Sequence, residues 1–452
     1  MRIMYVASVT QAQCTELDAS HEKDWTSGQS RSPYTARMAE LVQTQEAPRR
    51  AVLLAVQVPG VTEGDLARSL TELARLAQTL GVIVVGAPMT QRRDGLDPAA
   101  VIGSGKLEEL KILVDGGTVD LILVDHEISP SQARNLEKAS GADVLDRTAV
   151  ILEIFRRHAR SRAAKAQVEI VRLKYLAPRL REQSKGKGDR QRGGIGGKGA
   201  GESKMELDRR KIRDRIAEIE QELEHIETER RTQRARRQDA ARVALVGYTN
   251  AGKSTLMRAL TASDVYIADK LFATLDTTVR TLEPPTVPKI LVSDTVGFIE
   301  KLPHDLVASF KSTLDEALEA SLLLHVVDAS DAAFERHVTV TEAVLGEIGA
   351  GAVPARLILN KIDRVPPDEL PGLAARFPQA ILLSAKRPDD VARLRTTLEA
   401  HFAAALVERE IHVPWSEQAR RAAIFAACQV LEERSEEDGV IFRVRAPAGF
   451  SG

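Results

Sequence analysis

Val243-Ala244-Leu245-Val246-Gly247-Tyr248-Thr249-Asn250-Ala251-Gly252-Lys253-Ser254-Thr255 joins a short apolar strand to a G-x-x-x-x-G-K-S loop, and the helical run Leu256 to Leu260 follows it. The spacing has a chemical purpose. Gly247 and Gly252 let the backbone wrap a β-phosphate with its N–H groups, and the N-terminus of the following helix adds partial positive charge. Lys253 reaches the β- and γ-phosphates, and Ser254 offers a hydroxyl to Mg²⁺. A chance match in a glycine-rich turn would lack the strand before it and the helix after it. The stretch therefore implies a P-loop domain of α/β class, with a mostly parallel sheet and helices on both faces.

Four later segments extend the site. Ile290-Leu291-Val292-Ser293 runs into Asp294-Thr295-Val296-Gly297, where Asp294 would hold Mg²⁺ through water and the Gly297 N–H would sense a γ-phosphate. Leu357-Ile358-Leu359 runs into Asn360-Lys361-Ile362-Asp363, whose terminal carboxylate can accept two hydrogen bonds from the N1 and N2 donors of guanine. Adenine lacks that donor pair and would leave an acid unsatisfied, at a cost of ~1–3 kcal/mol. Ile381-Leu382-Leu383 runs into Ser384-Ala385-Lys386, where a backbone N–H can meet guanine O6. Between the P-loop and Asp294, Phe272-Ala273-Thr274-Leu275-Asp276 supplies Thr274 as a second hydroxyl for the metal. Each motif is short, but their order and their positions, largely at strand ends, specify a GTP/GDP site. Ser254, Thr274 and Asp294 are the expected Mg²⁺ set. Lys253, Thr274 and Gly297 are the residues expected to act on the transferring phosphate. Phe298 stands where Ras-like sites carry a water-orienting Gln, so intrinsic hydrolysis is expected to be slow.

The whole chain has 452 residues, room for about three domains. Lys plus Arg number 63 and Asp plus Glu 64, a net charge of −1 that excludes a uniformly basic nucleic-acid coat. Apolar residues at 43% permit a substantial core. Cys14 and Cys428 are too far apart in sequence to suggest a disulfide framework, and no apolar run reaches the ~18 residues of a spanning helix. The nine histidines show no zinc-ligand spacing. A cytoplasmic location is expected.

Residues 1–48 read as a poorly ordered extension. An N-terminal α/β domain is expected over 49–150, with strands at 52–56, 82–85 and 121–124 and helices at 65–80, 107–113 and 131–140. A helical hairpin is expected over 151–240: one helical stretch from Thr148 to about Tyr175, and a second with an apolar seam at Ile212, Ile216, Ile219, Leu223 and Ile226. Residues 179–213 are rich in Lys and Arg around the glycine run 193–201, and 230–237 is a second basic run. The pair favours phosphate contact, while a solvated helix face remains the alternative. The G domain is expected over 241–405. A small α+β domain over 406–452 is expected to pair a helix, Ser416 to Leu431, with a strand, Val440 to Val444, to pack on the G domain, and to bury Trp415 and Phe442.

Gly247 to Thr255, Phe272 to Asp276, Asp294-Thr295-Val296-Gly297-Phe298-Ile299 and Glu436-Glu437-Asp438-Gly439-Val440 resemble the HflX family of ribosome-associated GTPases. So do Ile102 to Leu110, Ser129 to Leu136, Asp146-Arg147-Thr148, Ala164 to Glu169 and Gly199 to Ser203. The chain departs from that pattern in the glycine loop at 197–204 and at Thr277. The resemblance implies GTP hydrolysis, a place on the large ribosomal subunit and its RNA rather than on DNA, and separation of stalled or stressed ribosomes stimulated by the ribosome itself. A ribosome-assembly or RNA-modification GTPase is the alternative. It further implies a monomer and leaves peripheral membrane association open. In some related GTPases the Asn at the position of Asn250 helps bind K⁺, which is therefore a further expected cofactor. Gly103-Ser104-Gly105-Lys106 lacks the four-residue gap of a P-loop. It reads as a tight turn starting a helix, with a second nucleotide site as the alternative.

Overall fold

The computed structural model describes residues 48–183, 204–235, 240–262, 271–302, 306, 311–447 and 450. The expected extension lies outside them except for Pro48, as does the glycine run 193–201. The first domain carries β1 (Arg50–Gln57), α1 (Glu63–Thr79), β2 (Ile83–Val84), β3 (Met89–Arg92), α2 (Ser104–Asp115), β4 (Leu121–Val124), α3 (Pro130–Ser140) and β5 (Asp143–Asp146). Its parallel sheet runs β2-β1-β4-β5, with β3 also pairing β1 beyond the end of β2. Strands β3 and β5 were not expected. Each is only four residues long, and only Met89 of β3 is buried. Local signals fix the helices. Thr62 and Asp65 form a capping box at α1, and Ser129 and Gln132 form another at α3, where Pro130 occupies the first turn and Gly141 ends the helix at φ 82°. Gly103 is the N-cap of α2 and donates its N–H to Gln91 at 2.8 Å, so this segment is a helix start.

The single helical stretch expected from Thr148 is two helices, α4 (Arg147–His158) and α5 (Arg162–Gln183). Ser161 breaks it by accepting from the Ala164 N–H at 3.1 Å, as a cap does. Helix α6 (Lys204–Ala235) follows, and its seam packs as the spacing implies, with Ile219 against Ala166 and Ile170 and with Ile216 and Leu223 alongside.

Next come β6 (Ala241–Val246), α7 (Lys253–Thr261), β7 (Thr278–Thr281), β8 (Ile290–Asp294), α8 (Lys311–Leu318), β9 (Leu322–Asp328), α9 (Phe334–Glu347), β10 (Ala355–Asn360), α10 (Leu370–Arg376), β11 (Ile381–Leu382) and α11 (Pro388–Ala403). Their sheet has the order β11-β10-β9-β6-β8-β7 and is parallel except for β7. Leu245 pairs with Asp294, Val246 with His325, and Asp328 with Asn360, so the functional motifs leave one edge of the sheet together. Ligands bind α/β sheets at this carboxyl edge. One apolar cluster runs through both domains and joins Leu73, Ile151 and Phe155 to Val246, Phe272 and Phe298.

The C-terminal unit departs from expectation. It is a three-stranded antiparallel sheet, β12 (Val407–Pro414), β14 (Gly439–Ala446) and β13 (Gln429–Ser435) in spatial order, with α12 (Gln418–Ala427). The helix stops four residues before Leu431, which lies in β13. Its Ala-rich run carries helical spacing only as far as Cys428. The apolar side packs within the unit, where Ile411, Val413, Ile424, Phe442 and Val444 form a separate cluster. Phe442 is core, whereas Trp415 is 45% exposed. Among the described residues no helix is long and apolar enough to cross a membrane.

Candidate nucleotide site

The P-loop needs glycine twice. Gly247 adopts φ +145°, and a Cβ there would lie 2.1 Å from the Val326 carbonyl oxygen. Gly252 adopts φ +96°, and a Cβ would lie 2.4 Å from Asn360 Nδ2. Helix α7 begins directly after Gly252 without a side-chain cap, so its first N–H groups have no side-chain acceptor. Lys253 is buried and donates to the Gly247 and Tyr248 carbonyls at 3.0 and 2.9 Å. Burial pulls its pKa down to about 8; the Asp294 carboxylate opposes this and the Lys361 charge adds to it. An incoming polyanion would restore the charge.

The three expected metal ligands converge. Ser254 Oγ donates to Asp294 Oδ2 at 2.6 Å and lies 2.7 Å from Thr274 Oγ1. Asp294 is fully buried, and its Oδ1 has no hydrogen-bond partner in the structure. Burial pushes the Asp294 carboxyl above its usual range, against the pull of Lys253. An orphaned carboxylate oxygen beside two hydroxyls is an all-oxygen donor set that fits Mg²⁺.

The base side is equally interlocked. Asn360 donates to the Ala251 carbonyl at 2.9 Å and accepts from the Ala385 N–H at 3.0 Å. Lys361, at φ 61°, donates to the Asn250 carbonyl and to Asp328, both at 2.7 Å. Ser384 Oγ donates to Asp363 at 2.6 Å, which holds that carboxyl below its usual range, and accepts from the Lys386 N–H at 3.3 Å. Asp363 is exposed, with a face available to a ligand.

Switch segment 294–302 is fastened to the P-loop. The Thr249 N–H donates to the Phe298 carbonyl at 2.7 Å and the Phe298 N–H to the Gly247 carbonyl at 3.1 Å. A Cβ on Gly297 would stand 2.7 Å from Thr249 Cα, so only glycine permits this approach. The Phe298 ring is buried, 2% exposed, in the shared apolar cluster. The Tyr248 hydroxyl accepts from the Glu300 N–H at 2.8 Å and donates to Glu72 of α1, while its ring stacks on His337 at 3.9 Å.

Around Glu72 lies a buried polar network that sequence reasoning missed. Arg147, 2% exposed, binds Glu72, Asp125 at 2.9 Å and the Glu300 carbonyl at 3.2 Å. Lys301 reaches Asp125 and Ser69, each at 2.7 Å. The Asp146-Arg147-Thr148 stretch was visible in the sequence. Its partners, 75 and 153 positions away, were not.

Most of the expected residues gather here, but Asp276 does not join them. Its carboxylate accepts from the Arg160 N–H at 2.8 Å, the Ser161 N–H at 3.1 Å and the Ser161 hydroxyl. It therefore fastens the switch loop to the start of α5. Phe272 likewise faces inward and meets Phe155 edge-on at 4.7 Å, while its N–H donates to Thr249 Oγ1 at 3.0 Å. Leu275 and Val296 are core. Tyr248, Thr249, Asn250, Ala251, Gly252 and Thr255 follow from the loop itself, and Ala273, Thr295 and Ile362 are neighbours of the contacting groups.

A Walker-type loop, a converging oxygen set at a sheet's carboxyl edge and an Asn-Lys-x-Asp base motif define a P-loop GTPase. Family models described as GTP-binding GTPase N-terminal, GTP-binding GTPase middle region and 50S ribosome-binding GTPase match residues 67–156, 158–237 and 242–361. A GTPase HflX from Gluconacetobacter diazotrophicus is 52% identical over 438 residues, covering 89% of this chain and 96% of that one. The Escherichia coli GTPase HflX is 38% identical over 412 residues, covering 89% and 94%. This chain belongs to the HflX family and is a GTP-hydrolysing enzyme. Among solved structures, a GTP-binding protein from Sulfolobus solfataricus in complex with GDP aligns with TM-score 0.43 and 23% identity, over 77% of this chain and 99% of that one.

Proposed function

We propose that this GTPase binds the large ribosomal subunit and, in its GTP-bound form, dissociates stalled or stressed ribosomes in the cytoplasm, with hydrolysis stimulated by the ribosome. The observation that carries the reading is Phe298. It occupies the position of a water-orienting amide, its side chain cannot hydrogen-bond, and it is buried against the P-loop. A site so built binds GTP but orients the attacking water poorly, and so waits for a partner. The 50S ribosome-binding description of the model matching 242–361 supports the ribosome as that partner.

In this reading Gly247 to Thr255 wrap the phosphates, Lys253 holds the β- and γ-oxygens, and Asp363 with the Ala385 N–H selects guanine. Asn360 and Lys361 brace the base motif against the P-loop carbonyls. Ser254, Thr274 and Asp294 would hold Mg²⁺, which would supply positive charge to offset that of the phosphates. Gly297 turns its N–H to the γ-phosphate, and Asn250 offers an oxygen to K⁺. The chain acts as a monomer.

Sedimentation tests the reading. Assembled ribosomes mixed with the protein and a non-hydrolysable GTP analogue should convert to subunits. Binding to the large subunit without conversion would favour an assembly factor instead.

A further inference from the structure

The segments that close on the phosphates, 247–255, 271–277 and 294–302, contain no arginine. Hydrolysis makes the oxygen of water bond to the γ-phosphorus as the bond from phosphorus to the β–γ bridging oxygen breaks. The electron pair stays on GDP, and the proton of water leaves with inorganic phosphate. Charge gathers on the bridging and γ-oxygens during that step, and a guanidinium stabilises it well.

A cavity of about 300 Å³ opens between α1 of the first domain and the P-loop. Thr249, Asn250 and Leu271 line one side, and Arg75 of α1 lines the other. Two further arginines border the cavity, and both are engaged: Arg68 with Asp65, and Arg336 with Asp65 and Glu300. Arg75 is exposed to the cavity and has no side-chain hydrogen bond or ion pair to any described residue. Its position is fixed by contacts before and after it in the chain. Three residues before it, Glu72 is clamped by Tyr248 of the P-loop and by Arg147. Five residues after it, at the C-cap of α1, the Leu80 carbonyl accepts from Arg157 at 2.8 Å, and Arg157 lies in α4 two positions from Phe155, which packs on Phe272 of the switch loop. Arg75 thus shares this cavity with Thr249 and Asn250 of the P-loop and with Leu271, three positions before Thr274.

We propose that Arg75 is a catalytic residue of the GTPase reaction, an arginine supplied within the chain by the N-terminal domain to the β–γ bridging and γ-oxygens. The inference rests on the phosphates lying along the P-loop as described above. K⁺ at Asn250 would serve the same oxygens, so the experiment includes both salts.

The test compares full-length wild type with Arg75→Ala and Arg75→Lys. It measures GTP affinity, single-turnover hydrolysis in KCl and in NaCl, and capture of GDP with aluminium fluoride as a transition-state mimic. Arg75 makes no contact that folding needs, so both variants should melt with wild type. Arg75→Ala should hydrolyse GTP at least tenfold more slowly in both salts with GTP affinity within twofold, and should fail to retain the fluoride complex. Arg75→Lys should not restore the rate, since an ammonium lacks the planar fork. A rate within twofold of wild type in either salt, or a rise in rate, would overturn the assignment. Wild type that binds no GTP would overturn the underlying site reading as well. Normal binding and cleavage by wild type with Arg75→Ala unaffected would overturn the arginine alone.

Discussion

Replacing Arg147 by Met keeps the bulk of a 2%-exposed side chain and removes three donors at once, from Glu72, Asp125 and the Glu300 carbonyl. Deleting one partner of a buried ionic network costs ~3–5 kcal/mol, because the remaining charges stay desolvated. Two features place this site at the lower end. Asp125 keeps Lys301 at 2.7 Å and Ser69 at 2.5 Å, and Glu72 keeps the Tyr248 hydroxyl. A loss of about 3 kcal/mol lowers the melting temperature of a domain of this size by roughly 6–12 °C. The pH dependence has a definite sign. Burial already holds the Glu72 carboxyl above its usual range, with Arg147 opposing, so removing Arg147 raises it further. A carboxyl whose folded pKa is raised contributes stability in acid that is lost as pH rises through that folded value. Asp125 runs the other way. Arg147 and Lys301 hold it below its usual range despite burial, and that stabilisation exists only above the unfolded pKa. The Asp125 contribution is therefore present at both pH 5 and pH 8, and it is the Glu72 effect that makes the Arg147→Met deficit larger at pH 8 than near pH 5. Calorimetry at the two pH values measures it, and Glu72→Gln in the Arg147→Met background should recover part of the loss at pH 8. A deficit under about 1 kcal/mol, or one equal at both pH values, would refute this account of the network.

Two further outcomes are expected. Asp276→Ala removes three hydrogen bonds from the start of α5, should cost about 1–2 kcal/mol as a lost cap does, and should speed amide exchange in the first turn of α5 while leaving guanine selectivity intact. GTP affinity should fall as pH rises through about 8, because the Lys253 ammonium that the phosphates require deprotonates there in the free protein; titration calorimetry between pH 7 and 9 reads this directly, and a flat profile would contradict it.

The local signals in the sequence were strong enough to give most of the fold. Apolar runs such as 52–56, 121–124 and 243–246 located strands in both sheets and helical spacing located most helices, whereas the central strand β9 was not read from the sequence. Errors arose where the pattern was shorter than its period or where distant partners decided the outcome. Strands β3 and β5 are too short to alternate visibly. The Ala-rich stretch after Ser416 fits a helix on spacing alone, yet residues 429–435 pair with β14, which only the tertiary structure reveals. The nucleotide motifs were legible because phosphate, Mg²⁺ and guanine each impose fixed spacings. Asp276 was read as part of that set because it follows Thr274 closely, although its hydrogen bonds go to residues 115 and 116 positions earlier. Nothing in the local sequence of Glu72, Asp125, Arg147 or Lys301 announces that they meet.

The central claim is that Phe298, lacking an amide and fixed against the P-loop, leaves the hydrolytic site incomplete until a ribosomal partner finishes it. GTP turnover measured with and without purified large subunits tests this most directly. Slow turnover alone and at least tenfold acceleration by the subunits is the predicted result. Brisk turnover in isolation, unchanged when subunits are added, would contradict it.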